Sequence, residues 1–161
     1  MTSSTIFWGA VIVVLGLALF AVLPDPPSLS FLPTLMKNGL DTFAHAIAFA
    51  EGYGADLTNV PTRANNPGDL KLPGSQNTTG AEDITVFPTI QAGWDALTHQ
   101  LALIVDGKSH IYTVDMSIFE MAAHWTDTQA DAWTANVVSY LQSHGFPNVT
   151  ASDPIGSVLN A

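Results

Sequence analysis

The residue with the clearest chemical potential is Glu51, a carboxylate at the end of an apolar helical stripe. Leu40, Phe43 and Ile47 recur at helical spacing, and at ~100° per residue Glu51 falls on their face. Burial against such neighbours disfavours the charged form and raises the pKa of a carboxyl group. An acid that stays protonated near neutral pH can protonate a glycosidic oxygen, so Glu51 is our candidate general acid. The alternative is a surface glutamate at a frayed helix end.

A turn-rich loop follows this helix and reads Arg63-Ala64-Asn65-Asn66-Pro67-Gly68-Asp69-Leu70. Asn, Pro and Gly are typical turn residues, so turn chemistry alone accounts for the composition. The functional interpretation is that the loop supplies amide and backbone donors to a sugar. Trp94, Trp125 and Trp133 lie at helical spacing and are expected mainly in the core, with one of them a candidate to line a sugar cleft.

Several other kinds of site are disfavoured by the sequence. Cysteine is absent, the five histidines form neither H-x-x-x-H nor H-E-x-x-H, and no G-x-S-x-G or glycine-rich phosphate loop occurs. We therefore expect no metal site and no cofactor. The net charge is −10 with only four Lys and Arg residues, so nucleic acid is not an expected partner.

Apolar spacing and capping residues predict the elements that position Glu51. We expect four main helices: one over 40–51, one capped by Thr89 that stops at Asp106, one opened by the Ser117 capping box that ends near Trp125, and one from Asp127 or Thr128 to His144. Alternation over 69–72 and 84–87 predicts two strands joined by the loop 73–83. The predicted fold class is α+β, a mainly helical domain with one small antiparallel β-hairpin.

The chain also divides into segments of different character. Residues 1–24 carry no charged side chain, and the apolar run over 6–23 just spans a ~30 Å hydrocarbon core. We predict one N-terminal transmembrane helix over 1–24; a cleaved signal peptide and a buried core helix are the alternatives. Residues 25–36 are predicted to form a Pro-rich linker, 37–149 the globular domain, and 150–161 a loosely held C-terminal tail.

The ordered motifs resemble the lysozyme-like superfamily, specifically phage-borne relatives of goose-type lysozymes and soluble lytic transglycosylases. The resemblance covers about 40–146 and is carried by A-x-A-x-A-E-G at 46–52, the 63–70 loop, and Val86-Phe87-x-Thr89-x-x-x-Gly93-x-x-Ala96-Leu97. It implies that Glu51 is the acid/base catalyst. The substrate-binding candidates are Tyr53, Asn65, Asn66, Gly68, Asp69, Asp127 and Asp131. Asp69 stands where the family usually has Asn.

This resemblance implies a peptidoglycan-cleaving enzyme anchored in a membrane. If Glu51 works alone, the enzyme is a lytic transglycosylase acting on the MurNAc–GlcNAc β-1,4 bond; if Asp56 or Asp69 positions a water molecule, it is a muramidase hydrolase. The expected partners are peptidoglycan glycan strands and the lipid bilayer. The expected location is a membrane facing the periplasm or the internal membrane of a phage virion, and a phage origin is favoured. The alternative from another class is a non-enzymatic membrane-anchored virion protein with a structural or glycan-binding role.

Overall fold

The computed structural model describes residues 39–75, 77–79, 83–126 and 128–161. The predicted transmembrane helix at 1–24 and the predicted linker at 25–36 lie outside these residues. Among the helices of the described ranges, none is both long and apolar enough to cross a bilayer.

The described chain is mainly helical and contains one two-stranded antiparallel sheet, as the predicted α+β class requires. Its elements in chain order are α1 (Gly39–Ala50), α2 (Val60–Arg63), β1 (Thr78–Thr79), β2 (Ile84–Thr85), α3 (Ile90–Val105), α4 (Ile118–Trp125), α5 (Ala130–Ser143) and α6 (Gly156–Leu159). The four long helices match the predicted ones, although α5 begins two residues later than Thr128.

Helix α1 forms the centre of the domain and packs against α3, α5 and α6. Phe43 and Ile47 on its apolar stripe are fully buried. They join the apolar faces of α3 and α5, which contribute Leu97, Leu101, Val137 and Leu141. Other helices cover α1 on several sides, so its apolar stripe lies inside the domain. Glu51 follows the last residue of α1, at the end of this stripe.

Side-chain caps set the starts of α3 and α4 where the sequence predicts them. The Thr89 hydroxyl accepts a hydrogen bond from the Ala92 N–H at 3.1 Å. Ser117 and Glu120 form a reciprocal capping box, in which the Ser117 N–H donates to the Glu120 carboxylate at 2.8 Å. Such caps satisfy N–H groups that have no partner within the helix, so short sequence signals fix these boundaries.

The sheet differs from the predicted hairpin. Thr78 pairs with Thr85 and Thr79 with Ile84, so the first strand lies inside the segment that was predicted to be a loop. Residues 69–72 do not form a strand. Asp69 has a φ of 50°, in the left-handed region, and this conformation breaks an extended segment.

The C-terminal residues 150–161 are not a loosely held tail, and that prediction is wrong. Ile155 and Val158 are fully buried and belong to the main core. Helix α6 packs on α1, where the Gly39 N–H donates to the Ala161 carbonyl at 3.3 Å. Three apolar residues over 155–159 cover the start of α1, and a four-residue helix is too short for its periodicity to be recognised in the sequence.

Candidate active site around Glu51

Glu51 lies directly after α1, and its side chain is half-buried. Its N–H donates to the Ile47 carbonyl at 2.9 Å, which continues the helical pattern by one residue. The Trp133 indole Nε1–H of α5 donates to Glu51 Oε1 at 2.8 Å. The carboxyl group is therefore held between two helices rather than extended into solvent.

The turn after Glu51 is fixed by α2. Gly52 has a φ of 71°, a conformation that favours glycine and ends the helix. The Asn59 amide donates to the Gly52 carbonyl at 2.5 Å, and the same side chain caps α2 by accepting from the Thr62 N–H at 3.0 Å. The Gly54 N–H donates to the Thr62 hydroxyl at 2.8 Å. These bonds restrain the backbone that carries the acid.

The pKa of Glu51 is raised from 4.5 to about 7, the direction expected from its apolar stripe. Burial is the largest cause, because it disfavours the charged form. The Trp133 hydrogen bond opposes this effect, the negative charge of Asp69 adds to it, and a smaller hydrogen-bonding contribution from Trp125 lowers the pKa. Near neutral pH both forms of Glu51 are populated, as a group that must both give and take a proton requires.

We expect the raised pKa of Glu51 to make folding stability fall as pH rises from 4.5 to 7. In this window the unfolded chain releases the proton that the folded state retains, so the unfolded state is increasingly favoured. The loss reaches about 3 kcal/mol, because each pKa unit corresponds to ~1.4 kcal/mol. Urea denaturation of the wild type and Glu51→Gln across pH 4 to 8 measures it, and equal pH slopes for the two proteins would contradict it.

Asp69 is the second carboxylate of the site, since its charge acts on the pKa of Glu51. It is half-buried on the 63–70 loop. Asp56, the other candidate for positioning a water molecule, is exposed. Its carboxylate accepts from the Thr58 N–H at 2.7 Å and from the Thr58 hydroxyl at 2.8 Å, and these bonds lower its pKa. The negative charge of Asp69 therefore raises the pKa of Glu51, whereas the Asp56 carboxylate is bonded within its own turn.

Asn66 and Gly68 have structural positions in the loop rather than positions on its surface. Asn66 is fully buried; its amide donates to the carbonyls of Leu70 and Thr85 at 2.9 Å, and its oxygen accepts from the Leu70 N–H at 2.9 Å. Gly68 is also buried, and a Cβ there would lie 2.7 Å from a Leu97 methyl group. Direct sugar contact by the Asn66 side chain is thus not available in this conformation, which corrects that expectation.

The loop and the start of α3 form one packed unit. The Asn65 amide donates to the Phe87 carbonyl at 3.1 Å, and the Phe87 N–H donates to the Ala64 carbonyl at 2.9 Å. A Cβ at Gly93 would lie only 1.8 Å from the Asn65 carbonyl oxygen, so the loop backbone rests directly on the helix. The two separate sequence motifs are therefore in physical contact, and Asn65, which is half-buried, is placed by that contact.

The remaining candidates are less closely associated with Glu51. The Tyr53 ring is half-buried and meets the edge of Trp94 at 5.8 Å between centroids. Asp131 is exposed and lies ~200° around α5 from Trp133, so it projects away from the acid. It lines a surface depression of about 530 Å³ at the α4–α5 junction. Asp127 lies outside the described residues.

The sequence analysis did not assign Trp133 or Trp125 to the acid. Trp133 is 3% exposed, and its ring packs on Trp125 with centroids 6.2 Å apart; Trp125 in turn packs on Tyr112 at 5.6 Å. The sequence contained one signal for the pairing of Trp133 with Glu51. A buried indole N–H needs an acceptor, and Glu51 was expected to be buried as well. The pairing depends on how α5 crosses α1, which spacing within either helix does not reveal.

The site is thus built from two carboxyl groups, two indoles and a structured loop. Within the described ranges, no three His, Asp or Glu side chains converge as a metal site requires. No protein-family model, no curated protein and no solved structure matches this chain.

Proposed function

We propose that this protein is a membrane-anchored peptidoglycan lytic transglycosylase that cleaves the MurNAc–GlcNAc β-1,4 bond. The observation that carries the proposal is the half-buried Glu51 carboxyl group, whose pKa of about 7 lets it serve as acid and then as base. The resemblance of the Glu51 segment, the 63–70 loop and the Gly93 segment to the lysozyme-like superfamily supports the substrate class. The apolar segment 1–24 supports the membrane attachment.

The first step is proton transfer to the leaving group. Neutral Glu51 gives its proton to the glycosidic oxygen as the bond to C1 of N-acetylmuramic acid breaks. The N-acetylglucosamine portion leaves with a hydroxyl group, and positive charge develops at C1. The neighbouring acetamido group can stabilise that charge, while Glu51 becomes a carboxylate.

The second step returns Glu51 to its neutral form. The carboxylate takes the proton from the C6 hydroxyl of the same muramic residue, and the C6 oxygen bonds to C1. The product is a 1,6-anhydro sugar, no water is consumed, and the enzyme ends in its starting protonation state. A pKa near neutrality suits both steps, because neither protonation state is strongly disfavoured.

The specific observation that favours a second function is the electrostatic effect of Asp69 on Glu51. Its charge acts on Glu51, and glycoside hydrolases commonly use two carboxylates. If Asp69 orients a water molecule towards C1, the same acid yields a reducing sugar, and the protein is a muramidase hydrolase. Asp56 does not favour this alternative, because its carboxylate is bonded to Thr58.

The products of digestion distinguish these functions. The detergent-solubilised full-length chain is incubated with purified peptidoglycan between pH 4 and 8, and the released fragments are analysed by mass spectrometry. We expect anhydromuropeptides. Reducing-end products would show that the protein is a hydrolase and not a transglycosylase. No release of fragments at any pH would contradict the enzyme proposal and favour the structural or glycan-binding alternative.

A further inference from the structure

The Trp133 indole reaches the Glu51 carboxyl group from a different helix. The bond of 2.8 Å joins residues 82 positions apart, so it ties the end of α1 to α5. Trp133 is only 3% exposed, and its ring packs on Trp125 with an interplanar angle of 34°. A buried and packed donor keeps its direction, and water cannot readily replace it.

The direction of this bond distinguishes the two carboxyl oxygens. An indole N–H only donates, so Glu51 Oε1 must accept in both protonation states. In a neutral carboxylic acid the carbonyl oxygen is the better acceptor, and the hydroxyl oxygen carries the proton. The bond from Trp133 therefore assigns the carbonyl role to Oε1 and leaves the proton on Oε2.

We propose that Trp133 is a positioning residue that fixes Glu51 through Oε1 and so makes Oε2 the atom that gives and takes the proton. The inference rests on the proposed function, since it specifies how that acid acts. Trp133 acts through Glu51 and not on the sugar, so it is not itself a catalytic residue. Preorganised orientation of this kind lowers the barrier without any movement during the reaction.

The same bond has an electrostatic consequence. Donation to the carboxylate stabilises the charged form, and it opposes the effect of burial on the pKa of Glu51. Without Trp133 the acid would hold its proton more strongly and would be slower to give it up. The Trp133 N–H therefore both orients the Glu51 carboxyl group and lowers its pKa.

The first test is a direct titration of Glu51 in the full-length chain. Only three glutamates occur, Glu51, Glu82 and Glu120, so selective carbon-13 labelling of glutamate carboxyl groups gives three signals, and Glu51→Gln assigns one. In Trp133→Phe we expect the Glu51 midpoint to move upward by about one pH unit, because a hydrogen bond to a charged group is lost. An unchanged midpoint would overturn the inference.

The second test is kinetic. If Trp133 positions the acid, Trp133→Phe should lower kcat by about 10- to 100-fold with little change in KM, because a small misplacement affects the chemical step. The fall of kcat above neutral pH should shift upward with the Glu51 midpoint. A rise in KM with unchanged kcat and an unshifted pH profile would contradict a positioning role.

A matched control separates positioning from loss of stability. Val158→Ala also removes buried apolar volume, but it lies against Gly39, at the other end of α1 from Glu51. Because α1 has 12 residues, its Gly39 end lies about 18 Å from the end that carries Glu51. We expect Val158→Ala to lower the melting temperature without moving the titration midpoint of Glu51. If Val158→Ala moved that midpoint as far as Trp133→Phe does, general destabilisation would explain the shift in both variants.

A measurement on the wild type covers the case in which Trp133→Phe does not fold. The chain has four tryptophans, so the indole N–H signals are few and can be assigned by substitution. The Trp133 N–H proton should shift with the same midpoint as Glu51, since it donates to a carbonyl oxygen at low pH and to a carboxylate at high pH. A signal that does not titrate would overturn the inference.

The outcomes separate this inference from the proposed function. Peptidoglycan cleavage that requires Glu51 but is independent of Trp133 would leave the function standing and refute the positioning role. A Trp133 signal that titrates with Glu51 in a protein that releases no muropeptides would support the placement of Oε1 and refute the lytic activity.

Discussion

Glu51→Gln is expected to abolish peptidoglycan cleavage while the fold is retained. Glutamine has nearly the same shape, and its amide oxygen can still accept the Trp133 indole N–H that Glu51 Oε1 accepts. It has no proton to give and cannot act as a base. Because general acid–base catalysis contributes about 10²- to 10⁴-fold and both proposed steps use this group, we expect a loss of at least about 1,000-fold.

The measurement is the rate of muropeptide release together with the melting temperature. Glu120→Gln is the matched control, since this carboxylate is exposed and belongs to the capping box of α4. The control should change the melting temperature only slightly, because glutamine can also serve in a capping box, and it should leave the rate unchanged. Full activity of Glu51→Gln would remove Glu51 from the reaction and would require a different acid.

Gly93→Ala is expected to cause a large loss of stability. In an exposed helix this change usually stabilises by about 1 kcal/mol. Here the added Cβ would lie 1.8 Å from the Asn65 carbonyl and 2.9 Å from Pro67, so the loop must separate from α3. We expect the free energy of unfolding to fall by about 3 kcal/mol or more, as for severe overpacking.

Gly54→Ala provides the comparison for this substitution. Gly54 has a φ of 77°, but no atom lies within 4 Å of an added Cβ, so the change measures conformational strain without a clash. That strain should cost only about 1 kcal/mol. Urea denaturation compares the variants, and equal stability of Gly93→Ala and the wild type would show that the loop does not rest on α3 as described.

Gly93→Ala should also affect the candidate site around Glu51. Asn65 and Asp69 belong to the loop that Gly93 supports, and Asp69 acts electrostatically on Glu51. Displacement of the loop should therefore also alter the titration of Glu51 in any Gly93→Ala protein that still folds. Under the proposed function, the contact between Gly93 and the Asn65 carbonyl would therefore influence the reaction, although neither residue takes part in it.

Much of the helical framework could be predicted from the sequence because its signals are local. The Thr89 cap and the Ser117–Glu120 capping box lie within a few residues of the boundaries that they set. The raised pKa of Glu51 could be predicted from the apolar stripe on its own helix. In each case one segment of chain contains the signal that predicts the feature.

The features that the sequence analysis missed or placed wrongly depend on contacts between distant segments. Asn66 was expected on the cleft surface, but its amide serves the backbone of Leu70 and Thr85, and the latter lies 19 residues away. Trp133 reaches Glu51 from another helix. The 150–161 segment packs on the start of α1, which no local pattern in those residues reveals.

The meeting of Gly39 with Ala161 has a topological consequence. The two ends of the described domain, Gly39 and Ala161, lie next to each other. Glu51 lies about 18 Å away, at the opposite end of α1. Whatever precedes Gly39 and whatever is attached at Ala161 joins the domain far from the acid. A short connection between these ends would permit a circularly permuted chain, and a reporter fused at Ala161 would lie at the opposite end of α1 from the acid.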